Sequence, residues 1–314
     1  VRVSFQVVDL ARGAVIAERR PDVLLEPASN LKLITTLAAL VALGPDWRFQ
    51  TTVEALGRVR GGTLDGSLLV RAGGDPLYAS GDPSHAERRL DALAAELANA
   101  GLSRINGDLL YDLGAYPELG PAPGWPDSNV RWTGSYAFVS GLTANGGMVQ
   151  LDFEAGAGGQ TRVAVAPRPN GLRDFGEVRA SRTSVNDVRI GLYDASFELE
   201  LRGELGPPGR QFDREVRHPD PPRMFAALFE AALERHGILV LGGTRRVRGT
   251  APGEVLARLE SPWIELLAPI NRDSVNGVAD AVFLALGLEH GGEPTRSAAR
   301  RAVAATLDRL GLET

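Results

Sequence analysis

The sequence predicts a multidomain α/β chain, α+β in layout, in which one outer domain is split by a large β-rich insertion. Three observations carry this. The 314 residues are 44% hydrophobic and 23% charged, close to globular averages and more than one small core needs. Helix-period patterning gathers near the start and the end, whereas the long middle alternates as strands do. The resulting order, a strand pair and helix, a β-rich middle and a helical end, fits two ends packed together around an enclosed middle better than beads on a string, and no internal repeat or low-complexity segment is present.

The elements follow in order. Val3 to Asp9 alternates like a half-buried strand, Ala11-Arg12-Gly13 reads as a turn, and Ala14 to Glu18 returns as its hairpin partner. Pro27-Ala28-Ser29 opens an apolar helix running to about Leu43, closed by Gly44-Pro45. Strands Phe49 to Leu56 and Ser67 to Arg71 flank Gly61-Gly62, and Gly73-Gly74-Asp75-Pro76 reads as a tight turn. Ser84 to Ala100 is an amphipathic helix with Leu90, Leu93, Ala94 and Leu97 on one side. Ile105 to Tyr111 reads as one strand, and Gly114 to Gly134 as a long ordered loop. From Tyr136 to about Leu201 the pattern is strand-like, joined by Asn145-Gly146-Gly147, Gly158-Gly159 and Asn170-Gly171. Helices return at Pro222 to His236, Trp263 to Ile270, Val275 to Leu288 and Ser297 to Leu310. Residues 1-48 with 255-314 therefore form the expected outer domain, 49-150 with 221-254 an inserted α+β domain, and 151-220 a small β domain nested within it.

Composition narrows the function. A net charge of −5 without any block of like charge disfavours nucleic-acid partners. The absence of cysteine removes thiol catalysis, Cys-based zinc sites and disulfides. The four histidines, His85, His218, His236 and His290, are scattered, and no metal site, cofactor site or His-based triad is expected. No apolar run approaches a bilayer span. The start at Val1, without a methionine or a basic-then-apolar leader, suggests a processed or trimmed chain and leaves export open.

One count is sharper. Of 34 basic residues, 33 are arginine and one, Lys32, is lysine. An arginine-favouring genome explains the 33. An ammonium can lose its proton when desolvated and a guanidinium cannot, so only Lys32 can serve as a base. Ser29 stands three residues before it at the start of the predicted helix, which puts both side chains on one face. A neutral Lys32 could take the Ser29 proton, and the unpaired N–H groups of the helix start favour an oxyanion there. The plainer alternative makes Ser29 an N-cap and Lys32 a surface residue. A Ser-x-Asn triplet occurs twice, at Ser184-Val185-Asn186 in the β-rich middle and at Ser274-Val275-Asn276 between terminal helices. Only the second is expected near the Ser29 helix. There Ser274 could relay a proton and the Asn276 amide could hold both a substrate carbonyl and the Lys32 amine, or Ser274 could simply cap a helix.

Pro27-Ala28-Ser29-Asn30-Leu31-Lys32-Leu33 and Asn271-Arg272-Asp273-Ser274-Val275-Asn276 resemble the penicillin-binding proteins, whose signatures include Ser-x-x-Lys and Ser-Asp-Asn. Within that group the chain looks most like the class C low-molecular-mass D-alanyl-D-alanine carboxypeptidase/endopeptidase family of bacterial envelopes. Gly74-Asp75-Pro76, Ile105-Asn106-Gly107-Asp108, Gly124-Trp125-Pro126 and Tyr136-Ala137-Phe138-Val139-Ser140-Gly141-Leu142-Thr143 extend the match in the expected order. The resemblance implies a transpeptidase/β-lactamase-like domain split by a large insertion. It implies Ser29 as acylated nucleophile, Lys32 as its base, and Ser274 and Asn276 as the second motif, with peptidoglycan stem peptides as substrates and β-lactams as covalent inhibitors. Asp127, close to Trp125, becomes a candidate contact to the stem-peptide side chain. It also implies a third motif, Lys-Thr-Gly on a strand, yet no lysine follows Lys32. We therefore expect that the terminal strands are missing, and with them part of the oxyanion hole; one lost donor costs about a hundredfold to a thousandfold. Two other readings share the fold: a non-catalytic peptidoglycan- or partner-binding envelope protein, and a β-lactamase, which the large insertion disfavours.

Overall fold

The computed structural model describes residues 3–116, 140–169, 172–183, 186–193 and 198–312. Asp127, Gly124-Trp125-Pro126, Tyr136 to Val139, Asn170-Gly171, and Ser184 and Val185 of the first Ser-x-Asn triplet lie outside these, as does most of the loop expected between Gly114 and Gly134.

The chain opens with an antiparallel hairpin of β1 (Phe5–Asp9) and β2 (Ala14–Arg19), paired from Phe5 with Arg19 to Asp9 with Ala14. A 3-10 turn, Ala28–Asn30, leads into helix α1 (Leu31–Ala42). Strands β3 (Arg48–Arg60) and β4 (Thr63–Arg71) form a long hairpin. Its two-residue loop, Gly61-Gly62, takes φ of +52° and +79°, the left-handed pair that matches strand twist and that glycine adopts without strain. Helix α2 (His85–Asn99) then crosses back to β5 (Arg104–Ile105) and β6 (Leu109–Asp112), both parallel to β4. The single strand expected from Ile105 to Tyr111 is thus two, because Gly107 sits where a Cβ would fall 2.5 Å from Ser67 Oγ and 2.7 Å from the Gly66 carbonyl. Hydrophobic alternation does not register such a backbone approach.

The middle of the chain builds two three-stranded sheets. Strands β7 (Met148–Ala155) and β8 (Thr161–Ala166) pair with each other. Strands β9 (Arg173–Ala180), β10 (Asn186–Tyr193) and β11 (Glu198–Leu205) run in the order β10-β11-β9, with β9 and β11 parallel. Strand β12 (Gln211–Arg217) returns to the other edge of β7. Asp220 then accepts from the Arg223 N–H and caps α3 (Pro221–Arg235), which begins on two prolines that lack the N–H groups a helix start leaves unpaired. Strands β13 (Leu239–Val240) and β14 (Thr244–Val247) extend the main sheet beyond β5 and β6, and β15 (Glu254–Pro262) closes its far edge against β3.

After a 3-10 turn at Trp263–Leu266 come α4 (Leu267–Asn271), α5 (Asn276–Gly291) and α6 (Arg296–Arg309). Two main apolar clusters result. One joins the main sheet, α2, α3 and the inner faces of the small sheets through residues such as Leu68, Leu90, Phe153, Leu199 and Phe229. The other, around Ala38, Phe49, Trp263, Ile270, Val278 and Val282, packs α1 against the terminal helices. Trp263 is fully buried, and its indole N–H donates to the Gly44 carbonyl at 2.6 Å, ending α1 against the segment that leads to α5. Helix α1 and the terminal helices are therefore one packed unit beside the sheet, and the α/β architecture with an enclosed insertion stands as expected.

Candidate active site

Ser29 lies in the 3-10 turn just before α1, and Lys32 in the first turn of α1 itself. The backbone at Ala28 has φ +48°, and at Ser274 φ +60°, left-handed values that cost a non-glycine residue about 1 kcal/mol or more. Both strained positions belong to the two segments that meet here. Neither serine is spent on capping. The helix α1 begins without a side-chain cap, and α5 likewise begins at Val275 with none.

Both hydroxyls instead face one amine. Lys32 is 8% exposed, and its Nζ lies 3.1 Å from Ser29 Oγ, 3.2 Å from Ser274 Oγ and 2.5 Å from Asn276 Oδ1. Three acceptors match the three donors of an ammonium. Two of them plus a donating Ser29 hydroxyl match a free amine with one lone pair. The site thus holds both protonation states of the same nitrogen with little movement. Burial pushes the Lys32 amine below the ordinary lysine value, and the Asp280 carboxylate works the other way.

Neighbouring side chains hold the two segments in place. The buried Thr36, one turn after Lys32, donates to the Lys32 carbonyl at 3.0 Å and accepts from the Asn271 amide at 3.1 Å, tying α1 to the segment that carries Ser274. The Val275 N–H donates to the Pro269 carbonyl at 3.1 Å. A cleft of about 620 Å³ opens beside Ser29 and Lys32, walled by Asn276, Asp280, Phe283 and Arg296.

The four residues singled out from the sequence, Ser29, Lys32, Ser274 and Asn276, are therefore brought together. Of the competing triplet, Asn186 starts β10 in the small sheet and pairs with Leu205. Sequence reasoning missed Thr36, Asn271, Asp280 and Arg296. The helical spacing of Thr36 from Lys32 and of Asp280 from Asn276, four residues in each case, was the available signal. The histidines stay apart: His236 meets Asp91 at 3.0 Å, and His218 is buried, accepting from the Asp220 N–H through Nδ1, with burial pushing its pKa down to about 3. Among the described residues no cluster of His, Asp or Glu suits a metal ion, and no helix is long and apolar enough to cross a membrane.

The model of the D-Ala-D-Ala carboxypeptidase 3 (S13) family matches residues 2–314. The chain belongs to that family. A D-alanyl-D-alanine carboxypeptidase from Actinomadura sp. (strain R39) is 32% identical over 98% of this chain and 58% of its own length. The D-alanyl-D-alanine carboxypeptidase DacB of Haemophilus influenzae is 25% identical over 92% of this chain and 59% of its own. This S13 chain thus spans about three-fifths of the length of the curated relatives it matches. The crystal structure of penicillin binding protein 4 from H. influenzae superposes with a TM-score of 0.81 at 23% identity, over 98% of this chain and 67% of that one. The likeness establishes the penicillin-binding-protein fold with its inserted domain. The same H. influenzae protein has also been crystallised with a β-lactam.

Proposed function

We propose that this S13 protein is a serine-type D-Ala-D-Ala carboxypeptidase/endopeptidase acting on peptidoglycan stem peptides, and that β-lactams acylate the same serine. The observation that carries the reading is the single lysine amine of the chain, buried and shared by two serine hydroxyls and an asparagine carbonyl. Ser29 Oγ attacks the carbonyl of the penultimate D-alanine as its proton passes to Lys32 Nζ, so an O–H bond breaks while a C–O and an N–H bond form. The amide C–N bond then breaks, and the departing amine takes a proton from Lys32 relayed through Ser274 Oγ. Asn276 holds the lysine through Oδ1, and its N–H group can be offered to the substrate carbonyl. Water reverses the acylation through the same groups and releases the shortened peptide.

This substrate places the protein's work in the cell envelope, outside the cytoplasmic membrane. A three-unit division of the chain, 1-48 with 255-314, 49-150 with 221-254, and 151-220, goes with this reading. It is supported by the separate apolar cluster of the terminal helices and by the antiparallel exit of the chain at Arg48 and Pro262, which pair side by side.

The test is mass spectrometry of the natural full-length polypeptide after exposure to benzylpenicillin. One intact drug mass should be gained on the peptide bearing Ser29, and none in Ser29→Ala, in parallel with D-alanine release from a pentapeptide. An unmodified Ser29 under conditions where the protein is folded removes the proposal.

A further inference from the structure

The face of α5 that brings Asn276 to the lysine carries a second polar group into the cleft. Asp280 lies one turn beyond Asn276, on the same stripe as Phe283, and lines the wall that holds Ser29 and Lys32. It is not a surface charge left to solvent. Arg296, the first residue of α6, donates to Asp280 Oδ2 at 2.9 Å, with both side chains largely withdrawn from water. The contact depends on how closely the two helices approach. A Cβ on Gly291 would fall 2.7 Å from Ala298 Cβ, and one on Gly287 would fall 3.0 Å from the Ala299 nitrogen. Two glycines on α5 thus seat the start of α6 where its arginine reaches the carboxylate.

A base in this position has two opposed requirements. Burial favours the neutral amine, the form that accepts a proton, but the proton taken from Ser29 must then rest on a poorly hydrated nitrogen. A carboxylate in the same cleft offsets that second cost. Among the described residues, the charged groups that line the cleft with Lys32 are Asp280 from α5 and Arg296 and Arg300 from α6. Beside Ser274, Asp273 is paired with the largely exposed Arg272, and α1, α4 and the 3-10 turn before α1 contribute no other ionisable side chain.

We propose that Asp280, held by Arg296, is a positioning residue that acts through Lys32, stabilising the ammonium that forms as the Ser29 Oγ–H bond breaks and the Lys32 Nζ–H bond is made. This rests on the reading of Lys32 as the base for Ser29. Arg296 sets the strength of the effect by sharing the carboxylate. The opposing influences of burial and of Asp280 on the amine agree with this arrangement.

Protein labelled with [13Cε]lysine gives a Lys32 resonance, assigned by its loss in Lys32→Arg, to follow through a pH titration. Asp280→Asn should lower the Lys32 midpoint by about half a unit to one unit, Arg296→Gln should raise it, and Asp280→Glu should keep it within a few tenths. The acid limb of the β-lactam acylation profile should move down with the midpoint in Asp280→Asn, while the plateau rate falls. A midpoint unmoved in Asp280→Asn, or moved in the same direction by both substitutions, overturns the proposal. If Asp280→Asn does not fold, an unmoved midpoint in Arg296→Gln overturns it alone. The resonance reports on the lysine whether or not Ser29 is acylated, so failure of the Ser29 assignment would be seen separately, as a missing drug adduct.

Discussion

At the scale of residues, the site turns on the difference between an amine and a guanidinium. With 33 arginines elsewhere, positive charge is abundant in this protein, and what Lys32 adds is a proton that can leave. Lys32→Arg should keep the charge and lose the base. We expect acylation by β-lactam to fall by about 10²- to 10⁴-fold, the usual contribution of general-base catalysis, with no recovery as pH is raised to 10. In the parent protein the rate should instead climb with pH through the lowered Lys32 value and then level off, since only the neutral amine accepts a proton. Stopped-flow acylation across pH checks both curves, and a Lys32→Arg variant that regains rate at high pH would contradict the assignment. Ser29 and Lys32 were legible because the lysine is unique and the serine stands three residues before it, whereas Ser274 and Asn276 were legible only through a Ser-x-Asn triplet set between terminal helices and the resemblance it completes. Asp280 and Arg296 were not, because an ion pair between two helices, 16 residues apart, reads in sequence like any two surface charges.

At the scale of elements, the main sheet is stitched by charge as well as by its ladders. Arg71 on β4 donates to both carboxylate oxygens of Glu54 on β3, at 2.9 Å each, and reaches Asp112 on β6 at 3.5 Å. Gly253 N–H and Thr250 N–H close the cluster onto Glu54 and Asp112, anchoring the segment that leads into β15. The hydrogen bond from Arg71 holds the Glu54 carboxyl down to about 2. A depressed carboxyl contributes stability that is present above its unfolded value and lost as pH falls toward the folded one. Arg71→Met strands two buried carboxylates and should cost about 3 to 5 kcal/mol at pH 7. At pH 4 the stranded groups can protonate, so the difference from the parent should shrink. Urea denaturation of both proteins at the two pH values measures this, and an equal difference at both would rule out the charge account. None of this cluster was visible in the sequence, where its members stand up to 199 positions apart. The hairpin of β3 and β4 and the helices were visible, because glycine pairs and amphipathic spacing act locally. The parallel pairing of β9 with β11 was not, since it depends on strands that are not neighbours in the chain.

At the scale of the whole molecule, the enclosed insertion was legible from the order of patterns alone, since helices at both ends of a chain must bury their apolar stripes on something and the strand-rich middle leaves them each other. The packing of α1 on α5 and α6 realises this. The opening hairpin does not share in it. Every residue of β2 is exposed, and Phe5, Val7, Val15 and Ile16 remain between 44% and 68% accessible. A two-stranded ribbon is marginal without a third strand or a covering helix, because its ladder fixes backbone freedom for little apolar burial. Local stability should therefore be sharply graded across this chain. In hydrogen exchange followed by mass spectrometry, amides of β1 and β2 should exchange through local openings costing at most about 2 kcal/mol, while those of β3 and β4 exchange only with global unfolding. Ile16→Lys should then leave the unfolding midpoint of the chain unchanged within about 0.5 kcal/mol, because the residue it replaces buries little. Protection of β1 and β2 equal to that of β3 and β4 would show instead that the hairpin is coupled to the main fold, and that its exposed valines and isoleucine report on packing the ladder alone does not reveal.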